Sequence, residues 1–195
     1  MARKTGVTSN TAKRLVVDAG AIYFNYDTEN ERVAGATTEG ATFTLEQEMR
    51  EVEVDGFRGP MKGGRRVVEE HARITASMLE LTGENLKKMI AGSQLADYTA
   101  GEAVDPTHTE VQRQTDIPPD SDYIQNVALV GRVQGSEEPI IIIIWDALAD
   151  GGLELATEDG DEGSIEVQFT AHFDPTDPDT SPWAIRYPKD VEDSE

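Results

Sequence analysis

The sequence predicts a mainly β protein, an antiparallel sandwich or barrel with one short flanking α-helix. Three observations carry this. Apolar and polar residues alternate strictly from Ala72 to Met78 and again from Ile165 to Phe173. Five consecutive isoleucines, Ile140 to Ile144, fit a strand covered by neighbours and are too short for a membrane span. Clusters of Gly, Pro and Asp separate the patterned segments, as turns do in antiparallel sheets.

Taken in order, Leu15 to Tyr26 reads as a strand with a bulge at its Ala-Gly-Ala, and 27–40 reads as a polar loop. From Thr42 alternation resumes, with Phe43, Leu45 and Met49 on one face and Thr44, Glu46, Glu48 and Arg50 on the other. The apolar phase then flips to Val52 and Val54, the mark of a bulge or a change of environment. Residues 55–64 hold four glycines and a proline and read as a large turn. Arg65 to Leu81 also offers helical spacings, but the period-2 run places Ala72, Ile74, Ala76 and Met78 on one face of a strand. Glu69, His71, Arg73, Thr75 and Ser77 take the other, and 42–81 becomes a long hairpin.

One helix is signalled after it. Thr82 caps the start, Glu84 suits the positive end, Leu86, Met89 and Ile90 form the apolar stripe, and Gly92 stops it. Residues 93–122, polar and containing Pro106, Pro118 and Pro119, read as an extended loop with at most one short strand. Tyr123–Val133 and Pro139–Leu148 are two strands joined by the turn QGSEE. A strand from Ile165 follows with Phe173 as its last inward residue, then a Pro/Asp turn and the short segment WAIRYP. We read residues 1–14 as a basic N-terminal arm, 15–187 as a single β-sandwich domain with a hairpin tip at 55–64, and 188–195 as an acidic tail.

Charge sets the first functional limits. The 195 residues carry 38 acidic and 17 basic side chains, a formal charge of −21, which disfavours a nucleic-acid-binding module. Lysine is confined to positions 4, 13, 62, 87, 88 and 189, and the acidic excess suggests a halophilic source. In molar salt the Debye length falls to ~3 Å and self-repulsion is screened. Basic residues gather at Arg3, Lys4, Lys13 and Arg14, and at Arg58, Lys62, Arg65 and Arg66, a pattern that suits docking between identical acidic subunits and equally fits a solvated surface with a disordered basic start. No apolar run approaches the ~20 residues that span a bilayer. The N-terminus does not read as a signal peptide, and there is no cysteine.

Catalytic, cofactor and metal signatures are not found. His71, His108 and His172 lie far apart without ligand spacing, and no nucleophile elbow, phosphate loop or dinucleotide fingerprint occurs. The acidic clusters Glu158–Glu162 and Asp174, Asp177, Asp179 lack the spacing of a calcium loop and read as hydrated turns.

The run VEVDGFRGPMKGGRRVVEEHARITASMLELTGENLKKMIAG, residues 52–92, resembles the central segment of tail tube proteins of long-tailed, siphovirus-like phages and haloarchaeal tailed viruses. VVDAGAIYFNY resembles that family's opening strand and GSIEVQFTAHFDPTDPDTSPWAIRYP its closing strand and Pro-bounded finish. The acidic excess and the stretch around 98–122 depart from the family pattern. The resemblance implies a non-enzymatic virion protein whose hexameric rings join sheets edge to edge around a channel and stack into a tube. Its partners would be further copies of itself, other tail proteins at the tube ends, and viral DNA as passing cargo, with assembly in the host cytoplasm and no membrane. On that reading the polar strand face with Glu46, Glu48, Arg50, Glu69, His71 and Arg73 is the candidate channel lining, although it equally fits plain solvent-facing surface. Arg3, Lys4, Lys13, Arg14, Phe57, Arg58, Met61 and Lys62 are candidate contacts between subunits or rings. The competing readings are a monomeric β-sandwich decoration or receptor-binding module of a virion, and an enzyme with a carboxylate pair carried on its loops, which no spacing supports.

Overall fold

A computed structural model describes residues 6–8, 10–53, 55, 56, 58–101, 103–156 and 163–191. In chain order the strands and helix are β1 (Val16–Phe24), β2 (Arg32–Val33), β3 (Thr37–Glu51), β4 (Arg65–Met78), α1 (Gly83–Met89), β5 (Ser93–Ala100), β6 (Ala103–Arg113), β7 (Ile124–Val133), β8 (Pro139–Ala149), β9 (Glu154–Ala156), β10 (Ser164–Thr170) and β11 (Trp183–Arg186). One layer runs β2-β1-β7-β8 with β11 on the far side of β8, and the other runs β10-β4-β3 with β9 beside β10. All pairings are antiparallel, and a short β8–β10 contact at Leu148 and Ala149 joins the layers. The layers face each other without closing into a barrel.

Alternation produces the core directly. Ala72, Ile74, Ala76 and Met78 of β4 and Ile165, Val167 and Phe169 of β10 are buried in register, Ile165 opposite Met78 and Phe169 opposite Ile74. From the opposing layer come Ile22 and Phe24 of β1, Val127 of β7 and Ile144 of β8. Phe24 meets Phe169 edge to face at 5.5 Å, and Phe43 of β3 meets Trp183 at 6.2 Å. The isoleucine run is covered at its edges, β8 pairing with β7 on one side and with β11 on the other.

Helix α1 begins as its sequence implies. Thr82 accepts from the Asn85 backbone N–H at 3.2 Å, and Gly92 follows with φ 74°. A Cβ at Gly92 would lie 2.5 Å from the Thr115 carbonyl, so only glycine fits that turn. Asn85 is buried, donating from Nδ2 to the Ala34 carbonyl at 2.8 Å and accepting from Arg32 at 2.9 Å. The helix is thereby fixed to the chain between β2 and β3.

Four expectations are corrected. Residues 93–122 are no plain loop, because β5 and β6 pair as a separate two-stranded sheet. The described residues of its outer part are exposed on both strands, so it lacks the apolar alternation that marks the other strands. Residues 27–40 contain β2 and the start of β3, where Glu39 and Gly40 have φ 61° and 79° and the register slips between Thr38 and Ala41. A bulge there interrupts the strand pattern without ending the strand. Phe173 is 41% exposed because β10 ends at Thr170 and the inward alternation ends with it. His172, which the alternation through Phe173 places on the outward face of its strand, is half-buried, packed edge to face on Tyr123 at 5.2 Å, with Nδ1 3.1 Å from the Asp146 carbonyl.

Candidate assembly surfaces

The polar face singled out in the sequence is built by β3 and β4. Their register sets Thr44 opposite Arg73, Glu46 opposite His71, and Glu48 opposite Glu69. Arg73 donates to Glu46 at 2.7 Å, while His71 lies 3.9 Å from Glu69. Five of the six candidate lining residues thus share one exposed or half-exposed patch. Arg50 lies past a register shift between Glu48 and Met49, opposite Arg66. The face continues through Thr75 and Ser77 of β4 to Gln168 and Glu166 of β10, with no large apolar residue.

The outer part of the hairpin, which carries Glu46, Glu48 and Glu69 of this patch, leaves the body. Residues 46–53 and 65–69 are exposed on both faces, including Met49 (55%), Val52, Val67 and Val68 (50%). The core ends at Gln47 and Glu70, whose side chains bond at 3.2 Å. The Ser181 hydroxyl, with help from Gln47 and against the effect of burial, holds the Glu70 carboxyl below the usual carboxylate range. The ribbon is closed by Val52 N–H to the Gly64 carbonyl (2.8 Å) and Gly64 N–H to the Met61 carbonyl (3.0 Å). Arg58 and Lys62 are exposed on the tip and Met61 is half-buried. Apolar residues bare on both faces of a ribbon are a signal the sequence pattern did contain, in the phase flip at Val52.

Among the described residues, β3 lies at the end of its sheet and is paired on one side only, by β4. Its 15 residues contain no proline, so a long row of backbone donors and acceptors stays open along the other side.

The remaining candidate contacts divide. Arg3, Lys4 and Phe57 lie outside the described residues. Lys13 and Arg14 occupy a short 3-10 turn, and the Lys13 carbonyl accepts from the Gly135 N–H at 2.8 Å, tying this segment to the β7–β8 turn. The Glu158–Glu162 cluster also lies outside the described residues apart from its flanks. In the second acidic cluster the carboxylates serve their own turn: Asp174 accepts from the Thr176 N–H and hydroxyl, both at 2.7 Å, and Asp177 from the Thr180 hydroxyl at 2.8 Å.

No family model matches the chain, and no curated protein matches it. Two solved structures overlap most of its length. The virion of a native gene transfer agent particle contains a chain 10% identical, covering 86% of this chain and 95% of that one, with a TM-score of 0.40. The tail of an empty gene transfer agent particle, with C6 symmetry, contains one 11% identical, covering 87% and 95%, with a TM-score of 0.37. Both TM-scores fall below 0.5, and neither likeness bears on the reading below.

Proposed function

We propose that this chain is a virion structural protein, not an enzyme, that polymerises as stacked hexameric rings into the tail tube of a long-tailed virus with a halophilic host. The observation that carries the proposal is β3, a long edge strand with one open side that continues into a ribbon bare on both faces. A monomer gains nothing from such an edge, which is an aggregation liability unless another strand covers it. The resemblance of residues 52–92 to tail tube proteins falls on this same hairpin. Neighbouring copies would join β3 to a second sheet edge and so close a channel that no single copy encloses.

The polar face of β3, β4 and β10 would line that channel. Carboxylates there keep passing DNA from adhering, since each phosphate meets like charge. Negative-stain electron microscopy of the purified chain at low and multimolar salt tests the reading. Hollow tubes or stacked rings are the expected result, and compact single particles under every condition would favour the decoration module instead. Replacing Glu46, Glu48 and Glu69 by lysine should leave tubes intact while slowing genome ejection. Unchanged ejection would remove the lining assignment.

A further inference from the structure

The chain carries a second projecting ribbon. β5 and β6 form their own sheet, rooted against α1 where Gly83 packs on Leu95 and Thr109. At Ala96 to Thr99 on one strand and at Ala103, Val104 and Thr107 to Glu110 on the other, the residues are exposed, with Tyr98 and Val104 among them. The β3–β4 ribbon leaves the body beyond Ala72, whereas the β5–β6 ribbon is rooted at the helix that follows Met78, the other end of β4.

The tip of the first ribbon is basic and the second ribbon is acidic. Residues 56–68 contain Arg58, Lys62, Arg65 and Arg66 and no acid, a formal +4, while Glu51, Glu53 and Asp55 on the β3 side of the tip leave 51–66 at a formal +1 in a chain of −21. Residues 96–110 contain Asp97, Glu102, Asp105 and Glu110 and no Lys or Arg, a formal −4. Within the register Glu110 sits opposite Ala96, next to Asp97, which concentrates negative charge on the ribbon. Arg65 is partly answered by Glu51 at 3.5 Å in its own ribbon. Each ribbon also bares apolar side chains, Met49, Val52, Val67 and Val68 on one and Tyr98 and Val104 on the other.

We infer that the basic β3–β4 tip of one copy docks on the acidic β5–β6 ribbon of a second copy. The contact joins two different surfaces of the same chain, so it is heterologous and propagates from copy to copy. Opposite charge sets its direction and register, and like-charge alternatives, tip on tip or ribbon on ribbon, are repelled. The inference rests on the assembly reading above and gives it a head-to-tail contact. It also assigns a role to 98–113, within the stretch around 98–122 that departs from the tail tube pattern.

The test is a pair of charge reversals, studied at the salt concentration where the unaltered chain assembles. One variant carries Arg58→Glu, Lys62→Glu and Arg66→Glu; the other carries Asp97→Lys, Asp105→Lys and Glu110→Lys. Circular dichroism and thermal unfolding first establish that each is folded. Alone, each variant should need a concentration about tenfold or more higher to sediment as polymer, because like charges then face one another. Mixed in equal amounts they should co-assemble, since each variant's tip meets a ribbon of opposite sign on the other. Assembly of either folded variant alone at the unaltered concentration overturns the inference, as does failure of the mixture. Either result with tubes still formed by the unaltered chain leaves the assembly reading standing. Failure of the unaltered chain to assemble at any salt removes that reading together with the contact. Should a triple variant not fold, the single reversals Lys62→Glu and Asp97→Lys, mixed and separate, carry the same comparison.

Discussion

Asp146 stands at a point where backbone, charge and burial meet. Its φ is 46°, a conformation that asparagine adopts more readily than most residues. Burial, and then the neighbouring Asp174 carboxylate, push its own carboxyl up, against a smaller opposing effect from His172. An acid whose folded pKa lies above its unfolded value binds more protons when folded, so it lowers stability at neutral pH. That cost declines as pH falls through the folded pKa and is gone below the unfolded value of 3.8. Asp146→Asn should therefore raise the melting temperature at neutral pH, with the gain vanishing below about 3.8 in a pH series of thermal melts. An equal gain at every pH would assign the effect to backbone conformation alone.

Among the elements, α1 shows how a short helix is held without a broad apolar face. Seven residues are too few to persist alone in water. Burial of Met89 and the bonds of Asn85 to Ala34 and Arg32 supply what propensity does not. Asn85→Ala leaves a buried carbonyl unpaired and should cost about 1–3 kcal/mol, read from the urea midpoint. A loss no larger than that of an exposed alanine substitution would contradict this anchoring. The helix boundaries were legible because Thr82 and Gly92 act locally. The strands of the core were legible for a similar reason, since period-2 burial writes itself into Ala72–Met78 and Ile165–Phe169. β5 and β6 were not, because strands that pack on the body only at their root carry little apolar alternation, and Pro106 argued against a strand that is in fact present. Asn85 escaped as well: a polar residue on a helix reads as exposed until the carbonyl it must satisfy is known. The candidate lining face was legible as a strand face. Its extension to Gln168 and Glu166 depended on which strand neighbours β4, which no local pattern states.

At the scale of the whole molecule, an acidic body carries one ribbon with a basic tip, a second, acidic ribbon, and a long strand with an open edge. A charge of −21 keeps copies apart at low salt and is screened at high salt, so contacts between copies should strengthen as salt rises until the ribbon attraction is itself weakened. The central claim is that copies join through the open side of β3. Hydrogen exchange read along β3, in dispersed and in assembled protein, tests it most directly. In dispersed protein the β3 amides that face away from β4 should exchange rapidly while those of β4 are protected. In the assembled protein the outward β3 amides should become as protected as those of β4. Assembled protein in which those amides still exchange at the dispersed rate would contradict the account.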